Sequence, residues 1–223
     1  MAVEIRPLAN ADELRAVQQQ RYVVYVEELG YANPQVDPQA NPWCNPNNRV
    51  VVDALDTTAQ ILGAFDGDEL VGSVRINHGQ FGEYANLECV RRFEPYFPDR
   101  MMLITKLVIA PAYRAGTLMG RFGMALYEHT RDTHPQTLFG VISCVPAHVG
   151  FFQRFGYRQI GAAFRHSAAG LTVPMAVALY DKMHFRRVGC RVHKVCPHHE
   201  STSSEWFART FADEFDNDVC TST

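Results

Sequence analysis

The stretch Leu103-Ile-Thr-Lys-Leu-Val-Ile-Ala110 is a mostly apolar run of strand length, and the residues after it decide the fold. Pro111-Ala-Tyr-Arg-Ala-Gly-Thr-Leu-Met-Gly120 is a turn that opens into an amphipathic helix. A second apolar run, Leu138-Phe-Gly-Val-Ile-Ser-Cys144, precedes His148-Val-Gly-Phe-Phe-Gln-Arg-Phe-Gly-Tyr157. Short apolar runs bounded by turn residues read as buried strands, and apolar residues three and four apart read as a helix. The order is therefore strand, turn, helix, strand, short helix. Strands separated by helical stretches place the chain in the α/β class.

Upstream, Val3-Glu-Ile-Arg-Pro7 alternates like a short strand. Asn10 with Glu13 three residues later is a capping-box pattern that starts a helix. Leu14, Val17, Tyr22, Tyr25 and Leu29 recur along it at helical spacing, and Gly30 marks its end. Residues 32–48 carry Pro34, Pro38, Pro42 and Pro46 among several asparagines, which rules out a regular element. A loop that long is usually functional or disordered, and Trp43 within it favours a lid folded over something apolar. Arg49–Asp53 reads as a strand. Gln60–Phe65 and Leu70–Ile76 flank Asp66-Gly-Asp68 and predict a hairpin, because Asp-Gly is a strong tight-turn signal. Glu83–Phe97 reads as helix and loop. Tyr157–Phe164 and Thr172–Asp181 read as the last antiparallel pair, and after Phe185 the composition turns basic, Cys/His-rich and Ser/Thr-rich. The chain thus divides into a domain over residues 1–185 and a C-terminal tail over 186–223 with room for a short helix.

The 223 residues suffice for one sizeable core, and a net charge of −3 without a long basic run gives no sign of a nucleic-acid partner. Every apolar run stops short of the about 18 residues that a membrane span needs. Glu4, Arg6, Asp12 and Glu13 come too early for a signal peptide, so a cytoplasmic location is expected. The six cysteines are widely spaced and read as free thiols. Cys190, His193, Cys196, His198 and His199 are metal-ligand types, but their spacing matches none of the paired zinc patterns. No metal is expected.

The strand, Arg/Gly turn, helix, strand and Phe-Gly-Tyr helix together resemble the GNAT superfamily of N-acyltransferases. The segment Arg21-Tyr-Val-Val-Tyr-Val-Glu-Glu-Leu-Gly-Tyr31 narrows this. Arg-x3-Tyr, then an acidic residue and Leu-Gly-Tyr, resembles the N-terminal signature of acyl-homoserine-lactone synthases. It is equally similar to that of long-chain N-acyl amino acid synthases. Arg75 in Gly72-Ser-Val-Arg-Ile76 stands where the hairpin strand of those families also carries an arginine. The resemblance covers residues 3 to 181. It implies a GNAT-like domain with a mixed, mostly antiparallel, twisted sheet and helices on both faces.

The resemblance also implies a site. The pantetheine arm of the acyl donor would add to the Leu103–Ala110 strand through the backbone of Leu107, Val108 and Ile109. Its phosphate would rest on the turn and helix start formed by Arg114, Ala115, Gly116, Thr117, Leu118, Met119 and Gly120, where free N–H groups and the helix dipole point. Arg21, Tyr25, Tyr31, Trp43, Arg75 and Lys106 are the candidates for substrate contact. For the base, Glu28, Glu88 and His148 are open, each acting directly or through water. Cys144 is a conceivable nucleophile, with a small core residue as the plainer reading.

Two departures are informative. The acetyltransferase pattern Arg/Gln-x-x-Gly-x-Gly/Ala has Thr117 and Met119 at its glycine places, which should hinder wrapping around a pyrophosphate. That favours the single phosphodiester of acyl carrier protein over coenzyme A. The lactone synthases' Glu-x-x-Arg-Phe reads Leu103-Ile-Thr-Lys106-Leu107 here, which argues against S-adenosylmethionine as acceptor. The expected function is transfer of a medium- or long-chain fatty acyl group from acyl carrier protein, or from acyl-CoA, to a primary amine. That amine belongs to an amino acid or to a Lys or ornithine side chain, as in lipopeptide acylation. An acetyl-CoA-dependent small-amine acetyltransferase and a non-catalytic acyl-pantetheine-binding protein stay open.

Overall fold

The computed structural model describes residues 3–31, 44–166 and 170–217. The chain forms two compact units: Met1–Asn77 with Ile104–Leu126 and His166–Gly170, and His78–Leu103 with Tyr127–Arg165 and Leu171–Thr223. Trp43 and residues 32–43 of the expected lid lie outside the described residues.

The first unit opens with β1 (Glu4–Pro7) and α1 (Ala11–Tyr22). Asn10 caps α1 by accepting from Glu13 N at 2.9 Å, while the Glu13 carboxylate takes Ala9 N at 2.7 Å and pairs with Arg6. Satisfying orphan N–H groups in this way is what the capping pattern predicts. α1 then widens into a π-helix over Val23–Glu28 and stops at Gly30, whose φ of +66° is a left-handed value that glycine adopts freely. β2 (Cys44–Asn45) and β3 (Val50–Val51) form a small antiparallel pair. β4 (Gln60–Asp66) and β5 (Glu69–His78) are the expected hairpin, turning at Gly67 with φ +61°. β1 pairs antiparallel with β4, and β6 (Met101–Ile109) lies beside β5. Both hairpin strands are buried nearly end to end, which is why they read as continuous apolar runs. Gly72 is required there: a Cβ would sit 2.9 Å from the Phe122 ring and 3.0 Å from the Val108 carbonyl.

In the second unit, α2 (Glu88–Arg91) is one turn of helix. Met101–Leu103 of β6 pair in parallel with β7 (Phe139–Cys144), and the register ends at Leu103 and Val141. α3 (Leu118–Thr133) joins these two strands in sequence, as a parallel crossover needs. α4 (Val149–Gln153) leads through Phe155-Gly-Tyr157 to β8 (Arg158–Gln159) and β9 (Phe164–His166). β10 (Gly170–Ala178) runs antiparallel to β7 on one side and to β8 on the other. Gly156 explains the Phe-Gly-Tyr signal: φ is +89°, and a Cβ would lie 2.7 Å from the Phe185 ring. Among the described residues the sheet is mostly antiparallel, with β6 and β7 parallel, and is flanked by helices, as expected for a GNAT-like fold.

Residues 186–217 are built into the second unit. α5 (Lys182–Arg187), α6 (Ser201–Thr210) and α7 (Ala212–Asn217) all belong to the second unit. The Phe93 ring, fully buried, lies within 6 Å of the rings of Phe139, Trp206, Phe207 and Phe211. The aromatic spacing of α6, legible in sequence, is therefore a core face. Among the described residues no helix is long and apolar enough to cross a membrane.

Candidate active site

In the first unit, the residues singled out from sequence converge on a buried ionic network. Asp53 follows β3 and caps a 3-10 turn, Ala54–Thr57, with Asp56 at the reciprocal position. Leu55 N donates to Asp53 Oδ1 at 3.0 Å, and Asp53 N donates to Asp56 Oδ2 at 3.1 Å. The turn thereby holds both carboxylates in place. Arg21, from the last turn of α1 and 0% exposed, donates from Nη1 to Asp56 Oδ1 and Oδ2 at 2.9 and 3.0 Å. Arg75, from β5, donates from Nη1 to Asp56 Oδ1 at 3.0 Å and to Asp53 Oδ1, and from Nε to Thr105 Oγ1 at 2.9 Å. Lys106 Nζ lies 3.5 Å from Asp53 Oδ2. Buried charges persist only when paired and hydrogen-bonded, and these are. Arg21 Nε and Nη2 are the exception, buried with no acceptor among the described residues.

Lys106 lies within β6 in an unusual backbone conformation. Its φ of +54° is a left-handed value that costs a non-glycine residue energy, and such strain gathers at functional sites. The kink re-aims the side chain, as a bulge does. Tyr25 reaches from the π-helix to donate to the Leu107 carbonyl at 3.3 Å. The Lys106 ammonium lies 5.7 Å from the Tyr25 ring centre, and Tyr25 stacks on Tyr31 at 6.3 Å. Arg21, Tyr25, Tyr31, Arg75 and Lys106 thus share one neighbourhood.

The electrostatics follow from burial. Burial pushes the Asp53 pKa up, but Arg75 and Lys106 more than offset it, and the net shift is down. Burial lowers the Lys106 pKa to about 8, against the opposing pull of Asp53. Between about pH 8 and the ordinary lysine value near 10.4, the folded chain therefore holds fewer protons here than the unfolded one. Stability attributable to Lys106 rises with pH across that window and is least below it. Urea unfolding from pH 7.5 to 10 should show this rise in the native protein and a flatter profile in Lys106→Met; parallel profiles for the two would contradict it.

The donor-side residues are arranged differently from expectation. Arg114 donates from Nη2 to Glu28 Oε2 at 2.7 Å and from Nε to the Ile109 carbonyl at 2.8 Å. The same guanidinium lowers the Glu28 pKa, so this carboxylate is a weaker base than a free one. Tyr113 is tied to the hairpin turn, donating to Asp66 Oδ2 at 2.8 Å. Arg114, Ala115, Gly116, Thr117 and Gly120 are exposed and Met119 is half-buried, whereas the Leu118 side chain belongs to the core. Nothing lies within 4 Å of where a Cβ on Gly120 would be, so the surface of α3 is open at that position. Among the β6 candidates, Val108 is buried, and Leu107 and Ile109 are half-buried.

Three catalytic candidates lie in the second unit. Cys144 is buried with its thiol directed at Met175 Sδ, 3.6 Å away, and burial raises its pKa to about 11. The thiolate is the nucleophile, so this cysteine stays inert at neutral pH. Cys144→Ala should keep turnover within about threefold, and a larger loss without unfolding would return it to the mechanism. His148 is exposed at the start of α4 and makes no side-chain cap there. Glu88 is exposed as well.

Sequence reading missed Asp53, Asp56 and Thr105. A signal for the carboxylates was present: Asp-x-x-Asp directly after an apolar strand has capping-box spacing. Arg21 and Arg75 on apolar elements also demand counterions somewhere.

The chain is 28% identical over 155 residues to the L-ornithine N(alpha)-acyltransferase of Rhodobacter capsulatus, covering 64% of this chain and 57% of that relative. The match thus spans less than two thirds of that relative. The solved structure of FeeM, an N-acyl amino acid synthase from uncultured soil microbes, superposes with a TM-score of 0.62 at 16% identity, covering 84% of this chain and 97% of that one. BjaI, a CoA-dependent acyl-homoserine lactone synthase, superposes with a TM-score of 0.63 at 15% identity over 86% of this chain and 90% of its own. These likenesses establish the fold. The model of the N-acyl amino acid synthase FeeM family matches residues 16–181. That match takes in the second half of α1, the ionic network and the β6–α3 turn, and the chain belongs to this family.

Proposed function

We propose that the protein is a GNAT-type N-acyltransferase that moves a medium- or long-chain fatty acyl group from a phosphopantetheine thioester to the primary amine of an amino acid. The observation that carries the reading is the buried network beside the kink of β6. It holds three cations against two carboxylates, and Arg21 keeps two buried donors without an acceptor among the described residues. An amino acid's carboxylate suits such donors, and its amine is then carried on the same small molecule at a fixed distance. Membership of the N-acyl amino acid synthase family supports this, and so does the named activity of the ornithine acyltransferase relative.

The acyl donor is a substrate here. The β6 backbone would hold its pantetheine arm as an added strand, and the open first turn of α3 would take its phosphate. The acceptor amine, as free base, attacks the thioester carbonyl carbon. The C–N bond forms, the C–S bond breaks with its electron pair leaving on sulfur, and the amine proton passes to solvent. Positioning and electrostatics supply the acceleration, and no covalent intermediate on the protein is needed. Thr117 and Met119 favour acyl carrier protein as donor over acyl-CoA, because a side chain at each place crowds a pyrophosphate more than a single phosphodiester.

The test is a mass-spectrometric assay of acetyl-CoA and of C8 to C16 acyl-CoA and acyl carrier protein thioesters against mixed amino acids, ornithine included, and Lys/ornithine peptides. N-acyl amino acid from the long-chain donors, reduced at least about tenfold in Lys106→Met, is the expected result. Product from acetyl-CoA alone, or donor bound and never consumed, would overturn it.

A further inference from the structure

Residues 182–199 carry Lys182, Arg186, Arg187, Arg191 and Lys194 with no Asp or Glu among them, in a chain whose net charge is −3. The stretch is built into the second unit. Phe185, Cys190, Val192 and Cys196 are its buried side, Lys182 Nζ donates to the Cys196 carbonyl at 2.8 Å, and Arg131 Nη1 donates to the Val195 carbonyl at 3.2 Å. Its outward side is therefore held in place. Met183, Arg186 and Arg187 are three and four residues apart on α5 and share its exposed face. Arg191 and Lys194 are exposed on the 3-10 turn Arg191–Lys194. Met183 is 62% exposed, a large apolar side chain set among cations.

The two carboxylates that flank the stretch in sequence are engaged elsewhere. Asp181 is taken by Arg158 at 3.2 Å and by His184 N at 2.9 Å, and Glu200 caps α6 by accepting from Ser203 N at 2.7 Å. Beside Arg187 the surface opens into a cavity of about 260 Å³, with Arg158 and His184 in its lining and Tyr157, Val188 and Phe215 as apolar wall.

We propose that this face docks the protein on an anionic membrane surface, with the recess beside Arg187 receiving a phospholipid headgroup phosphate. The exposed cations of α5 and of the 3-10 turn suit a fluid anionic surface, to which each basic residue near it adds attraction. Arginines that cover apolar area while keeping their heads in the interface, around one exposed methionine, are suited to the headgroup boundary. A catalyst whose product is an amphiphile has a use for such a surface, although the docking stands on the face itself.

The experiment is co-sedimentation of the full chain with phosphatidylcholine vesicles and with vesicles containing 30% phosphatidylglycerol, at low and high salt. Binding to the anionic vesicles alone, weakened by salt, is expected. The Arg186→Gln/Arg187→Gln/Arg191→Gln/Lys194→Gln variant should bind at least about 100-fold more weakly, and Met183→Ser a few-fold, both with an unchanged melting curve. No binding to either vesicle, or equal binding by the charge variant, would overturn the proposal. So would binding of a soluble acidic carrier protein through these four residues in a chain that ignores vesicles, since the face would then be a protein interface.

Discussion

Asp56→Ala will remove roughly 3–5 kcal/mol of stability, the scale on which breaking a buried ion pair costs a protein. Asp56 accepts from Arg21 Nη1 through both oxygens and from Arg75 Nη1 through one. Both guanidiniums are buried, so losing their shared carboxylate leaves buried charge uncompensated. The same carboxylate closes the capping box of the turn that also carries Asp53, so the second counterion loosens with the first. Urea unfolding gives the measurement. Arg21→Met/Asp56→Leu should recover a good part of the loss, because an apolar pair of similar volume carries no desolvation penalty. Asp56→Ala within about 1 kcal/mol of the native protein would show that the network carries no net stability. Glu28→Ala is the contrast, since its pair with Arg114 is a third exposed on each side and surface pairs contribute little.

A chain ending at Glu200 will fail to fold its second unit, and Phe211→Ala alone will cost about 3–5 kcal/mol. Phe207 and Phe211 are almost fully buried, and Phe93 and Phe139 from elsewhere in that unit pack on them. Arg92 reinforces the cluster: its guanidinium lies 4.4 Å from the Phe211 ring centre, and it pairs with Glu214. Removing α6 and α7 strips one side of a core whose other side has no replacement. Proteolysis and near-ultraviolet circular dichroism of the shortened chain report the outcome directly. A shortened chain that melts cooperatively at the native temperature would make residues 201–217 an appendage after all.

These two expectations rest on features of unequal legibility. The Asp-Gly hairpin, the Asn10 cap and the stop at Gly30 were readable because each is settled within a few residues by backbone conformation or by a hydrogen bond across one turn. The Phe-Gly-Tyr signal was readable as a pattern, but its reason is the Phe185 ring against Gly156, a contact from outside the motif. The widening of α1 into a π-helix carried no signal, because apolar periodicity does not separate hydrogen bonds to the fourth residue from those to the fifth. The aromatic residues of α6 were visible, yet a Ser/Thr-rich flank made the segment read as a tail. Hydrophobic spacing does not say what a face will pack against.

By itself, then, the sequence determined the α/β order of elements, the strand that carries Lys106, and the arginines and tyrosines gathered around it. Tertiary structure alone decided their pairing. Arg21 finds Asp56 thirty-five positions away, and Arg114 spends itself on Glu28 eighty-six positions away. It also decided which groups keep their protons, with Cys144 silenced and Lys106 brought toward neutrality by burial. Chain neighbours set conformation within a turn, but counterions and desolvation belong to whatever the fold brings alongside.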